Sequence, residues 1–433
     1  MAITMEFISK KCILAQKYVL RFIYNFIIHL VALSLKVIAP FNSKIKKGVV
    51  GRQSTFKLLK SKLNPSDQTI WFHCASLGEY EQGLPVFMAL KSAYPHHKIV
   101  LSFFSPSGYE VRKHVEWADV VVYLPLDRQS YAQRFLRLTH PELVVFVKYD
   151  IWPNMLHEIK KHAIKAILIS ALFRKHQIYF KWYGGLMKQA LFTFNHIFTQ
   201  DENSIKLLDA IQYQNASVAG DTRFDRVTDQ LNQDNTVDFI ADFKGDFSCI
   251  VFGSTWPADD LIYMNFINNN CNSELKFVIA PHDIKPSYIQ RIRQQLKCST
   301  VLYSELPNRQ SELAETSVFI LDTIGYLGKV YAYSDIAYVG GAAGTTGLHN
   351  ILEPAVFGQP IIIGSNYEKF PEAQQLIALG GGFSVADHTQ FSKTTSRLLD
   401  NRQLLKKTGQ LNLEYVQKHA GAVIQIMNYI RTI

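Results

Sequence analysis

The sequence predicts an α/β protein made of two Rossmann-like domains, each a parallel, doubly wound sheet, with a hydrophobic helix at the N-terminus. Three observations carry this prediction. Short β-rich runs alternate with helix-length amphipathic stretches over most of the chain, the pattern of strands joined by crossover helices. A polar stretch over 229–246 breaks the alternation once, after which it restarts. The length of 433 residues also exceeds the size at which one hydrophobic core stops growing.

The first element is the apolar run YVLRFIYNFIIHLVALSLKVIAP over 18–40, interrupted by Arg21, His29 and Lys36. A bilayer span needs about 20 apolar residues, and the part without Arg or Lys, 22–35, is short of that. Flanking Lys10, Lys11, Lys17 and Lys44, Lys46, Lys47 suit a short span or a helix lying in the interface, because long basic side chains reach head-group phosphates from either. A buried core helix is the other reading. The anchor segment is set at 1–47. No small-x-small cleavage site precedes a polar start, which argues against a signal peptide.

The first domain, 48–228, has strand-like runs at 70–73, 99–103, 120–123, 143–147, 166–169, 196–199 and 217–219. Residues 229–246 are read as a linker. The second domain, 247–433, has such runs at 249–252, 277–280, 318–321, 336–339, 361–363 and 383–385, then a helical piece from Thr389 that is a candidate to cross back to the first domain. In such folds ligands bind at the carboxyl ends of the strands, so the loops after the strands are where chemistry is expected.

Composition narrows the function classes. Hydrophobic residues make up 48% and charged residues 19%, which argues against long disorder. The net charge of +10 implies an acidic partner. No block of Lys and Arg with interleaved aromatics tracks a nucleic-acid backbone, so nucleic acid is not expected. Cys12, Cys74, Cys249, Cys271 and Cys298 are odd in number and widely spaced, suggesting neither a disulfide framework nor a zinc site, and fitting a reducing cytosol.

Four segments follow strands and carry chemistry. In IWFHCASLGEYE, Glu79 lies after a strand and suits a general base for a hydroxyl; Ser76 and Glu79 also have the spacing of a capping box, and both readings fit. GGAAGTTGLHNILEP, from Gly340, is a glycine-rich loop whose amides suit a nucleotide phosphate, without the spacing of a P-loop or dinucleotide fingerprint. Asn350 and Glu353 are three apart, on one helix face. VKYDIWPN holds Lys148, Asp150 and Trp152, and GDTRFD holds Arg223 and Asp225; Trp152 fits core as well as ligand contact, and Asp225 fits a helix cap. No Asp-x-Asp occurs, so no metal is expected, and adjacent Asp259 and Asp260 read as a solvated helix start.

Taken together, Ala75-Ser76-Leu77-Gly78-Glu79, Leu124-Pro125-Leu126-Asp127, Trp152-Pro153-Asn154, Gly253-Ser254-Thr255, Asp322-Thr323, Gly340-Gly341 and His349-Asn350-x-x-Glu353-Pro354 resemble the 3-deoxy-D-manno-octulosonic acid (Kdo) transferases, in order over nearly the whole chain. The resemblance implies a glycosyltransferase B fold without metal or other cofactor, acceptor on the first domain and cytidine nucleotide on the second. It implies Glu79 as base, Lys148 and Arg223 as the transition-state pair, and nucleotide contacts at Pro281, His282, Ile324, Gly325, Tyr326, Asn350, Ile351, Leu352 and Glu353. The family commonly has an acid at Lys148, Lys at Arg223, Arg at His282 and Glu at Tyr326. The implied reaction moves Kdo from CMP-Kdo to a lipid A precursor with inversion. It would occur at the cytoplasmic face of the inner membrane, against anionic lipid. A B-type enzyme using another nucleotide sugar and an inactive binding protein are the alternatives.

Overall fold

The computed structural model describes residues 2–271 and 274–433, with side chains from residue 19 onward; Cys12 and the lysines at 10, 11 and 17 lie outside the described side chains. The chain forms two compact units, Met1–Asp225 together with Gly421–Ile433, and Arg226–Ala420.

The first unit begins with α1 (Ala2–Ile38) and α2 (Ser43–Lys62). Its sheet holds β1 (Thr69–Cys74), β2 (Lys98–Phe103), β3 (Val120–Tyr123), β4 (Pro141–Val147), β5 (Lys165–Ala171), β6 (His196–Thr199) and β7 (Ala216–Val218). The strands are parallel in the order β3-β2-β1-β4-β5-β6-β7. Successive residues of a strand point to opposite faces, so Trp71, Val144 and Phe146 enter one core while Ile70, Phe72 and Val145 enter the other. The second unit repeats the plan with β8 (Ser248–Thr255), β9 (Leu275–Pro281), β10 (Thr300–Leu302), β11 (Val318–Ile320), β12 (Ile336–Val339), β13 (Ile361–Ile363) and β14 (Gly382–Ser384), ordered β10-β11-β9-β8-β12-β13-β14. Strand β10 is the one strand that the sequence reading did not anticipate among the described residues.

The polar interruptions of the apolar run dock α1 onto the first unit. Tyr24 Oη donates to Asp127 Oδ2 (2.8 Å), Arg21 Nε to Asn154 Oδ1 (3.3 Å), and Asn154 Nδ2 to Asn25 Oδ1 (2.7 Å). Asp127 also accepts from the amides of Asn154 and Met155, both at 2.8 Å, and so caps the helix Pro153–Lys161. Burial holds its carboxyl above the ordinary range. From Arg21 the covered stripe continues through Ile28, Ala32 and Leu35 to Ala39 at helical spacing, about 27 Å of axis. The opposite face is bare, with Phe22 73%, Leu33 61% and Val37 62% exposed. Val19–Phe41 is long and apolar enough to cross a membrane by length and composition.

Three expectations are corrected. Residues 229–246 are not a plain linker: the helix Asp238–Lys244 buries Ile240 and Phe243 in the second unit. The second domain does not keep the last helix, Ala422–Ile430, whose Ala422, Ile426, Met427 and Ile430 join the core of the first unit. Asp225 secures that return by accepting from the amides of Gly421 (3.0 Å), Ala422 (3.2 Å) and Val423 (3.2 Å), a cap for the returning helix rather than its own. Finally, Cys271 and Cys298 form a disulfide, 27 residues apart. The turn after the helix Pro257–Asn269 brings Cys271 beside the segment entering β10.

Candidate functional site

Each sheet reverses its strand order at one point, and polar loops gather there. In the first unit the chain builds β1, β2 and β3 outward, then returns to place β4 beside β1. The loops after β1 and β4 therefore flank a switch point, where α/β sheets bind ligands. Glu79 follows β1 in the first turn of α3 (Leu77–Ala93) and is 9% exposed. Ser76 Oγ donates to Glu79 Oε2 (2.7 Å), and no side-chain bond caps the helix at Ser76. The capping-box arrangement is thus not formed; the serine hydroxyl holds the carboxylate itself.

One turn further along α3, Gln82 Nε2 donates to Asp221 Oδ1 (3.3 Å). Asp221 in turn accepts from Arg223 Nε (2.8 Å) and the Arg223 amide (3.0 Å), which brings Arg223 to the helix that carries Glu79. Lys148 follows β4 with φ +65°, a left-handed conformation that costs a non-glycine residue of order 1 kcal/mol or more. Among the described residues it makes no ion pair. Two residues on, Asp150 Oδ2 accepts from His73 Nε2 (2.5 Å) and Trp152 Nε1 (3.0 Å). His73 is fully buried, and its Nδ1 meets Ser102 Oγ at 2.8 Å, an oxygen that also accepts from Trp71 Nε1 (2.7 Å). A carboxylate only accepts, so Nε2 carries a proton. The histidine that sits in an apolar strand is therefore the support that aims Asp150. Sequence reading missed it because nothing in β1 signals a partner 77 residues away.

In the second unit the switch point lies between β8 and β12. Here Asp259, expected to be solvated, is fully buried, as nearly is Asp260 at 3%. Asp259 accepts from the amides of Trp256 (2.8 Å) and Gly341 (3.0 Å) and from Tyr338 Oη (2.8 Å). It clamps the start of the glycine-rich loop, so the Gly341 amide is committed to a carboxylate. Gly341 has φ +98°, and a Cβ there would run into the Gly347 carbonyl oxygen. The helix expected to follow the loop is a single turn, Leu352–Ala355. Asp260 accepts from Tyr263 (2.7 Å), Tyr288 and Arg291.

Around this loop three rings form one cluster. The His282 ring lies 4.6 Å from that of Trp256 and 4.4 Å from that of His349, and Trp256 Nε1 donates to His349 Nε2 (3.0 Å). Asn350 Nδ2 donates to Glu353 Oε1 (3.1 Å). Glu353 and Gly325 line one cavity of about 320 Å³, with Arg226 and Lys329. Ile351 and Leu352 are buried; Ile324 is 82% exposed, and Tyr326 Oη meets Tyr303 Oη at 3.4 Å.

Burial, then the neighbouring His282, lowers the His349 pKa from 6.5 to about 4. Between those values the unfolded chain binds a proton that the folded chain does not, so this group removes stability as pH falls through that window. Protonation also ends the bond from Trp256. The emission contributed by Trp256, taken as wild type minus Trp256→Phe, is expected to titrate with a midpoint of about 4; a midpoint of 6.5 would mean an open ring cluster.

Two doubly wound parallel sheets, each with polar loops at its switch point, define the glycosyltransferase B class of fold. Among solved structures, the fold matches a UDP-GlcNAc 2-epimerase from Neisseria meningitidis, with TM-score 0.59, 15% identity and coverage of 84% of this chain and 100% of that one. Within the class, the chain is similar to the Kdo transferases. The family model described as 3-deoxy-D-manno-octulosonic-acid transferase matches residues 51–226. The chain is 26% identical to the 3-deoxy-D-manno-octulosonic acid transferase of Haemophilus influenzae over 85% of its own length and 87% of that protein's. It is also 26% identical to that of Aquifex aeolicus, over 83% and 95%.

Proposed function

We infer that the protein transfers Kdo from CMP-Kdo to a lipid A precursor with inversion at the anomeric carbon. The observation that carries this reading is the Glu79 carboxylate, held by Ser76 at the switch point of the first sheet instead of capping its helix. Glu79 takes the proton of an acceptor hydroxyl as that oxygen bonds to the anomeric carbon; the bond from that carbon to the CMP oxygen breaks, and CMP leaves with the electron pair. Lys148 and Arg223 stand beside the developing charge. The Lys148 ammonium, without an ion pair, suits the Kdo carboxylate, and Asp150 supplies the acid that the usual family pattern has at Lys148.

In the second unit His282, Gly325, Tyr326, Asn350 and Glu353 hold the cytidine nucleotide, with Pro281, Ile324, Ile351 and Leu352 shaping the backbone around it. The apolar face of α1 attaches the protein to the cytoplasmic face of the inner membrane. Because the first unit lies along the whole covered stripe of α1, the helix lies in the interface rather than crossing the bilayer.

The test is transfer of labelled Kdo, from CMP-Kdo generated in situ, to a tetra-acylated lipid A precursor, with free CMP and UMP as competitors. Product formation inhibited by CMP and not by UMP is expected. No product from folded protein would overturn the reaction, and stronger inhibition by UMP would point to a uridine-linked donor.

A further inference from the structure

A second cavity lies beside the middle of α1, against the helix that follows the β4 loop. It measures about 870 Å³ and is lined by α1, the helix Pro153–Lys161 and the helix Gly185–Leu191. Its polar wall is cationic: Arg21, Lys160 and Lys188 line it together with His157, and among the described residues no Asp or Glu does. Lys160 and Lys188 form no ion pair among the described residues. Glu158, the acid of the middle helix, is fully buried and accepts from Gln129 and Gln133 instead.

Two further observations mark the cavity as built for an anion. The Arg21 guanidinium bonds Asn154 through Nε, yet its Nη2 is buried with no partner, a costly arrangement that an acceptor oxygen would relieve. Burial, with Arg21 as the next cause, lowers the pKa of His157, as expected of an imidazole in a positive field.

The surroundings say where the anion comes from. Trp182 and Tyr183, 95% and 54% exposed, directly precede the third helix, and the bare apolar face of α1 runs from beside the cavity. Aromatic and basic side chains bordering an apolar surface concentrate at the depth of lipid phosphates.

We propose that this cavity binds the phosphate of an anionic membrane lipid through Arg21, Lys160 and Lys188. It rests on the membrane attachment proposed above and not on the transfer reaction. The ligand is a phosphomonoester head group, whose oxygens pair with the Arg21 guanidinium and the two ammonium groups.

The experiment is co-sedimentation of the full chain with vesicles of phosphatidylcholine, alone or doped with phosphatidic acid or, at equal charge, with phosphatidylglycerol. Wild type is expected to prefer the phosphatidic acid vesicles. Lys160→Gln with Lys188→Gln is expected to weaken that binding by about thirtyfold, at about fivefold per charge. Lys44→Gln with Lys46→Gln, which removes the same charge near α1 outside the cavity, is expected to affect phosphatidic acid and phosphatidylglycerol vesicles alike. CMP binding by each variant checks that it is folded, and the readout involves no Kdo transfer, so its failure is separate from failure of the reaction. Equal losses from the two lysine pairs, no preference between the two anionic lipids, or stabilisation by inorganic phosphate without any vesicle preference would each overturn the proposal.

Discussion

Replacing Glu79 by Gln is expected to lower kcat for Kdo transfer by about a hundredfold to ten-thousandfold, the usual worth of a positioned general base, with thermal unfolding little changed. Gln is isosteric and keeps an oxygen to accept from Ser76 Oγ, so the substitution removes basicity while sparing the local bond. The opposite pattern is just as readable. A residue that only caps a helix costs about 1 kcal/mol when lost and leaves turnover intact, so a lower Tm with unchanged kcat would return Glu79 to a structural role. Ser76→Ala separates support from chemistry: the carboxylate remains but loses its hydroxyl donor, and a smaller fall in kcat is expected. The assay is initial rate at saturating donor and acceptor, alongside a thermal scan.

The second large effect is expected at Asp259, on stability and donor binding together. Its carboxylate collects two backbone amides and a tyrosine hydroxyl in a fully buried place. Asp259→Ala leaves those donors without an acceptor, at about 1–3 kcal/mol each, so a loss of at least about 3 kcal/mol is expected in urea unfolding. Asp201→Ala is the comparison. Asp201 is an ordinary cap that accepts from Ser204 N at 2.8 Å, worth about 1 kcal/mol. The glycine-rich loop also loses its fastening at Gly341, so CMP affinity measured by calorimetry is expected to fall more than tenfold in Asp259→Ala and to be unchanged in Asp201→Ala. Equal, small losses in both would mean that the loop holds its shape without the clamp.

The two sheets were legible because each central strand is a dense apolar run with helix-length spacing, a signal local to the strand. What escaped reading depends on partners distant in sequence. Asp259 looks the same on paper whether solvated or buried, and its hydroxyl partner Tyr338 is 79 residues away. Asp225 reads as a cap for the helix it sits in, while its amides come from Gly421 to Val423. The helical piece from Thr389 reads as a candidate to cross back to the first domain, and its last helix does so, but no local signal marks Gly421 as the point where the second unit ends. At the candidate site, Glu79, Arg223 and Asn350 were nameable from motifs following strands, but the buried His73 and the half-buried Trp256, which support them, carry no pattern of their own. Arg21, Tyr24 and Asn25 were visible only as blemishes in an apolar run. Their meaning lies in Asp127 and Asn154, motif residues that fasten α1.

The return of the last helix to the first unit sets a timetable for biosynthesis. Domains emerging from the ribosome generally fold in the order they are made. Here the unit begun first is interrupted after Asp225 and lacks Ile426, Met427 and Ile430 from its core until the entire second unit has been made. The half that would hold the donor is therefore complete while the half that carries Glu79 and α1 still has an open apolar face. A nascent chain halted between the two has one core closed and the other open, and the first unit closes only once Ala422–Ile430 has been made.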